Sequence, residues 1–165
     1  TSGPAELALD ADTLGKSATP PRISPDGRYL LFGMAEYGCF HIWHKDADLY
    51  MIDLKNMTMR NMRELNSDDV ESYHSWSSNG RWILYTSRRD DGGYTRLYIA
   101  YFDKNGRAHK PFILPQRDPY FYEDYFKSYN VPEYMLEPVT ITPQEFARHI
   151  DKPALPVTFK SLSTK

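Results

Sequence analysis

The chain has 165 residues, 41% of them hydrophobic and 15% aromatic, enough apolar material for one domain with a core. Twenty Lys and Arg against 22 Asp and Glu give a formal net charge of −2 without any basic block, which argues against a nucleic-acid partner. No apolar run approaches the roughly 20 residues of a transmembrane helix, and a single cysteine, Cys39, excludes an internal disulfide.

Thr1-Ser2-Gly3-Pro4 opens polar, with no signal peptide, and an upstream portion carrying any export signal is expected. Ala5 to Asp10 alternates like a strand, read as the end of a preceding repeat or as a strand that closes a ring. Asp12 to Pro21 reads as a connector. The first clear pattern follows: Arg22-Ile23-Ser24-Pro25-Asp26-Gly27-Arg28-Tyr29-Leu30-Leu31-Phe32, a strand, a polar turn and a strand. An irregular inner loop containing Cys39, His41, Trp43 and His44 leads to the strand Ala47 to Leu54. Met57, Met59 and Met62 recur near the outer strand and are expected to act as adaptable packing.

After the linker Asn66-Ser67-Asp68-Asp69 the pattern returns as Tyr73-His74-Ser75-Trp76-Ser77-Ser78-Asn79-Gly80-Arg81-Trp82-Ile83-Leu84-Tyr85-Thr86-Ser87. Trp76 stands for Ile23, Ser77 for Ser24, Asn79-Gly80-Arg81 for Asp26-Gly27-Arg28 and Tyr85 for Phe32. Asn-Gly supplies the positive φ that a tight hairpin turn needs. Asp90-Asp91-Gly92-Gly93 is a further turn, and Leu97-Tyr98-Ile99-Ala100 repeats the Leu-Tyr core of Leu49-Tyr50-Met51-Ile52. Each copy holds about four strands in roughly 45 to 50 residues, the size of a propeller blade. The expected fold is therefore all-β, with two four-stranded antiparallel sheets. The segments are 1–19 (end of a preceding blade plus connector), 20–66 and 67–115 (blades), and 116–165 (an aromatic-rich tail with short helices).

The tail holds six aromatics between positions 119 and 129. Asp118 before Pro119 predicts a short capped helix there. Thr142-Pro143-Gln144-Glu145 predicts another, with a hydroxyl cap and a capping-box glutamate. Val157-Thr158-Phe159 reads as extended.

Ser-Pro-Asp-Gly-Arg-Tyr-Leu-Leu-Phe (24–32) and Trp-Ser-Ser-Asn-Gly-Arg-Trp-Ile-Leu-Tyr-Thr-Ser-Arg-Arg-Asp (76–90) resemble the signature hairpin of TolB-like β-propeller blades. The resemblance covers about residues 20 to 115. The stretch 40–50 and the aromatic tail are most similar to large propeller proteins of Bacteroidetes-type bacteria. It implies a fragment of a larger, about six-bladed propeller that self-associates in isolation. It also implies a protein-interaction or scaffolding role in the bacterial cell envelope, periplasmic or associated with the outer membrane, without catalysis or cofactor. The alternatives are the propeller part of a peptidase or glycan-processing enzyme, and a small-ligand-binding propeller.

Several side chains have a chemical reading beside a structural one. Cys39, His41 and His44, with Asp46 and Asp48 after them, have donors for a soft divalent metal. In a strand, however, 39 and 41 share a face that 44 does not, so a loop packing Phe40, Ile42 and Trp43 on the blade is expected and no metal site is assigned. His74 either faces a central channel or is hydrogen-bonded structure. Arg88 and Arg89 either hold a carboxylate or phosphate, or bracket their turn through Asp90 and Asp91. No Gly-x-Ser-x-Gly elbow occurs, and no catalytic residue is assigned. The candidate contacts are His41, Trp43, His44, His74, Arg88 and Arg89. Ser24, Asp26, Gly27, Trp76, Ser77, Asn79 and Gly80 form the repeat signature.

Overall fold

The computed structural model describes residue 4 and residues 6–157. Two compact units divide at Tyr134/Met135. The first contains eight strands: β1 (Ser17–Ile23), β2 (Tyr29–Ala35), β3 (Asp48–Asp53), β4 (Thr58–Asn61), β5 (Glu71–Trp76), β6 (Trp82–Ser87), β7 (Arg96–Tyr101) and β8 (Phe112–Ile113). They form two antiparallel four-stranded sheets in the orders β1-β2-β3-β4 and β5-β6-β7-β8. These are propeller-type blades, each a meander of consecutive hairpins.

The repeat is visible atom by atom in the first turn of each blade. Gly27 N–H donates to Ser24 O and Gly80 N–H to Ser77 O, each at 2.8 Å. Asp26 Oδ1 accepts from the Ser24 hydroxyl and from Arg28 N–H. Asn79 Oδ1 accepts the same two bonds from Ser77 and Arg81. Ser24 Oγ and Ser77 Oγ then accept from Tyr29 N–H and Trp82 N–H, each at 2.9 Å. A side-chain oxygen thus satisfies turn amides that no strand reaches, which is why Ser and Asx recur. Only the glycine of each turn has positive φ, +73° at Gly27 and +65° at Gly80. Asn79 does not. The loop is therefore longer than the two-residue hairpin its Asn-Gly suggests, and Ser78-Asn79 and Pro25-Asp26 are interchangeable in it.

Register continues the equivalence. Tyr29, Leu31 and Gly33 pair with Asp53, Met51 and Leu49, while Trp82, Leu84 and Thr86 pair with Tyr101, Ile99 and Leu97. Alternation gives each blade two faces. Tyr29, Leu31, Leu49 and Met51 of blade one pack against Trp76, Ile83, Tyr85, Tyr98 and Ala100 of blade two in one buried core. Phe102 lies edge-on to both Tyr29 and Trp76, with centroids 5.1 and 5.0 Å away. The opposite face of blade one collects Phe32, Met34 and Ile52, with Leu9 laid on them.

Several details depart from the sequence reading. β1 begins at Ser17, inside the stretch read as connector, and Pro20-Pro21 sit at a break in its register opposite β2. Prolines donate no ladder bond and are tolerated at such an edge bulge. Residues 6–10 form no strand, while Ala5 and Thr1-Ser2-Gly3 lie outside the described residues. Of the three methionines only Met62 is core; Met57 is 54% and Met59 39% exposed.

The helix expected after Asp118 is absent: residues 119–123 are turns. Asp118 does cap, accepting from Tyr120 N–H at 2.9 Å, but the carbonyls that would continue a helix are engaged elsewhere. Arg96, 4% exposed, donates to Tyr125 O and Lys127 O, each at 2.9 Å, and to Tyr122 O at 3.3 Å. Phe121, Tyr125 and Tyr129 stack in series beside it. A buried guanidinium needs acceptors, and here the tail supplies them by staying non-helical.

In the second unit, α1 (Pro143–Ile150) has the expected Thr142 cap, Pro at its start and the reciprocal capping box with Glu145. Val157 is in no regular element, and Thr158-Phe159 lie outside the described residues. No described helix is long and apolar enough to cross a membrane.

Candidate functional site

Three places hold the polar side chains from which chemistry would be built. The first is the inner-loop end of blade one. His41 is 4% exposed and its Nε2 meets Gly38 O at 2.9 Å. Burial holds its pKa below the ordinary histidine value. His44 lies 4.5 Å from the Tyr37 ring, and the His41 and His44 rings are 5.8 Å apart. Cys39 is exposed. Among the described residues no group of three or more His, Cys, Asp or Glu is gathered as a metal would require. Phe40 and Trp43 point outward, 67% and 70% exposed, whereas Ile42 is buried. The packing loop therefore rests on Ile42 and His41 and not on its large aromatics. Arg88 lies over the Trp43 ring at 4.0 Å, joining two of the singled-out residues from different blades.

The second place is the seam between the blades. His74 is 2% exposed, with Nδ1 3.1 Å from Ser72 O and Nε2 3.0 Å from Leu31 O. It ties β5 to β2. Desolvation holds its pKa below the ordinary value against the pull of both carbonyls. Beside it, Trp76 Nε1–H donates to Arg22 O of blade one at 3.2 Å.

Glu71 and Arg89 form the third. Glu71 is fully buried, and its Oε1 accepts from the Ser67 and Ser87 hydroxyls at 2.6 and 2.7 Å and from Arg89 Nη2 at 2.8 Å. Its Oε2 accepts from Ser67 N–H at 2.9 Å. Arg89 also donates to Leu65 O and to the Tyr85 hydroxyl. Burial raises the Glu71 pKa, and the two hydroxyls and the Arg89 charge oppose that rise. Arg89 therefore clamps the inter-blade linker to β6 and does not bracket its turn. In the turn, Asp90 accepts from the Tyr98 hydroxyl, and Asp91 accepts from Gly93 N–H and Tyr94 N–H. The turn itself is as expected, with Gly92 at φ +65°.

No protein-family model matches the chain, and no curated protein matches it. Among solved structures, the β-propeller domain of the Trilobed protease from Pyrococcus furiosus is similar: 22% identity, TM-score 0.41, over 61% of this chain and 30% of that one. The matched part thus spans under a third of that neighbour.

The six candidate residues do not converge on one site. Trp43 and Arg88 meet, His41 and His44 are neighbours, and His74 and Arg89 sit in separate networks within the fold. Sequence reading missed Glu71 and Arg96. The available signal was that each charge opens a strand rich in aromatic, apolar and small residues, where only an internal partner makes burial tolerable. An open cleft of about 320 Å³ lies between the two repeat turns, with Pro25, Arg28, Asn79, Arg81, Phe102 and Lys104 among its walls.

Proposed function

We propose that the chain is a non-catalytic β-propeller module, an interaction and scaffolding surface in which further blades extend the stack seen here. One observation carries this reading. Blade one receives blade two on Tyr29, Leu31, Leu49 and Met51, and the registers make Trp82, Leu84, Leu97 and Ile99 their equivalents on the far face of blade two. That face is a second copy of the receiving surface. Trp82, Leu97 and Ile99 are only half-buried on it, and Tyr101 is 39% exposed. Conversely, blade two docks through Ile83, Tyr85, Tyr98 and Ala100, whose equivalents Leu30, Phe32, Tyr50 and Ile52 lie under Leu9 on the outside of blade one. A repeat that carries both halves of a head-to-tail contact propagates until it closes or is capped.

The absence of catalysis is proposed because His74, Glu71 and Arg89 have their bonding capacity engaged inside the fold. The resemblance of both turns to TolB-like blades supports a protein partner and placement in the bacterial cell envelope. Light scattering on the 165-residue chain tests the stacking. The expected result is a dimer or larger species that Leu97→Asp converts to monomer. A wild-type chain that stays monomeric at high concentration overturns it.

A further inference from the structure

The cleft between the repeat turns separates two arginines that the repeat makes equivalent but that have different surroundings. Leu54 N–H donates to Arg28 O and Phe102 N–H to Arg81 O, each at 2.8 Å, so Arg28 and Arg81 occupy the same position in their blades. In blade one the residue paired with the next position, Tyr29, is Asp53, and Arg28 Nη2 meets its carboxylate at 2.9 Å. In blade two the register puts Tyr101 where Asp53 stands. Among the described residues no carboxylate comes within ion-pair distance of Arg81, nor of Lys104 on the neighbouring turn.

Both Arg81 and Lys104 line the same cleft. Its two carboxylates, Asp26 and Asp103, are committed to their turns. Asp26 takes the Ser24 hydroxyl and Arg28 N–H, and Asp103 Oδ1 takes Asn105 N–H and Arg107 N–H at 2.8 and 3.0 Å. Each carboxylate is held in its own turn through Oδ1, Asp103 Oδ2 faces His109 Nε2 at 3.3 Å, and neither comes within ion-pair distance of Arg81. Arg81, a half-buried residue, is thus left with an unpaired guanidinium fork that fits a carboxylate, in the lining of a cleft large enough for an acidic side chain with its backbone.

We propose that this cleft binds a carboxylate, held by the Arg81 fork with Lys104 as the second charge. The ligand restores in trans the ion pair that blade one makes in cis. Its source is either the side chain of an acidic peptide or a free small dicarboxylate. The inference stands apart from the stacking of blades, since both turns belong to the one chain.

The test is an NMR titration of the full chain, following the backbone amide signals of the cleft residues Gly80, Phe102 and Lys104, which are present in every variant, with glutarate and with the peptide Ac-Gly-Glu-Gly-NH2. A saturable shift is expected that weakens with added salt and is about tenfold weaker in Arg81→Lys, which keeps the charge and loses the fork. Arg81→Ala abolishes it, and because the Arg81 side chain makes no hydrogen bond among the described residues, that variant keeps the dispersed spectrum of the folded chain. Tighter binding of the peptide assigns the site to acidic protein segments, and equal or tighter binding of glutarate assigns it to small carboxylates. Either result supports the site. No saturable shift with either probe, or a titration unchanged in Arg81→Ala, overturns the proposal.

Discussion

Replacing Glu71 with alanine isolates the most concentrated polar interaction in the fold. The carboxylate is fully buried and accepts four hydrogen bonds, from Ser67 N–H, Ser67 Oγ, Ser87 Oγ and Arg89 Nη2. Its removal leaves the Arg89 guanidinium, whose side chain is 19% exposed, without its counter-charge, and takes the acceptor from the Ser87 hydroxyl and the Ser67 N–H. Breaking one side of such a buried pair costs about 3–5 kcal/mol, mostly the penalty of the charge left behind. Four separate bonds would sum to more, but they share one carboxylate and are not additive. For a domain of this size each kcal/mol lowers Tm by about 2–4 °C, so a fall of roughly 10 °C is expected. Tryptophan fluorescence measures the Tm in thermal unfolding and the free-energy loss in urea, since Trp76 sits in the inter-blade core. The double variant Glu71→Ala with Arg89→Met should recover part of the loss, because the unpaired charge is gone. A single-variant cost below about 1 kcal/mol, or strict additivity of the two changes, would refute the reasoning.

Two further perturbations probe the seam. Trp76→Ala removes a ring 9% exposed, edge-on to Phe102, together with the bond to Arg22 O; a loss of about 3–5 kcal/mol in urea unfolding is expected, and a loss under about 1 kcal/mol would place the ring outside the core. His74 gives a pH dependence of known sign. Burial lowers its folded-state pKa below the unfolded value of 6.5, with Arg22 pushing the same way and Glu133 against. The unfolded chain therefore binds the proton more readily, so this contribution is complete above pH 6.5 and declines as pH falls below it toward the folded-state pKa. The urea midpoint should drop between pH 7.5 and 5 more steeply in the wild type than in His74→Gln; equal slopes would remove His74 as the source.

The blades were legible because their turns are local. Ser24-Pro25-Asp26-Gly27 and Ser77-Ser78-Asn79-Gly80 close through bonds within a few residues, so composition and spacing suffice to specify them. The same holds for α1, whose cap is made by Thr142 and Glu145, three positions apart. The aromatic tail failed for the opposite reason. Asp118-Pro119 is a sound helix start, yet Arg96, more than twenty residues away in sequence, competes for the backbone and wins by being buried.

Charged side chains followed the same rule. Arg88 and Arg89 are adjacent in sequence and read as a pair, but just past the end of β6 their side chains part, Arg89 to the buried carboxylate of Glu71 on β5 and Arg88 over Trp43. Sequence alone determined two antiparallel blades, their turn chemistry and the face each strand presents, because these follow from short-range hydrogen bonds and a period of two. Only tertiary structure decided which face is covered, which buried charge finds which partner, and that Arg81 lacks the carboxylate its twin Arg28 has. Those outcomes depend on which residue stands across a strand pair or a blade seam, and sequence distance does not measure that.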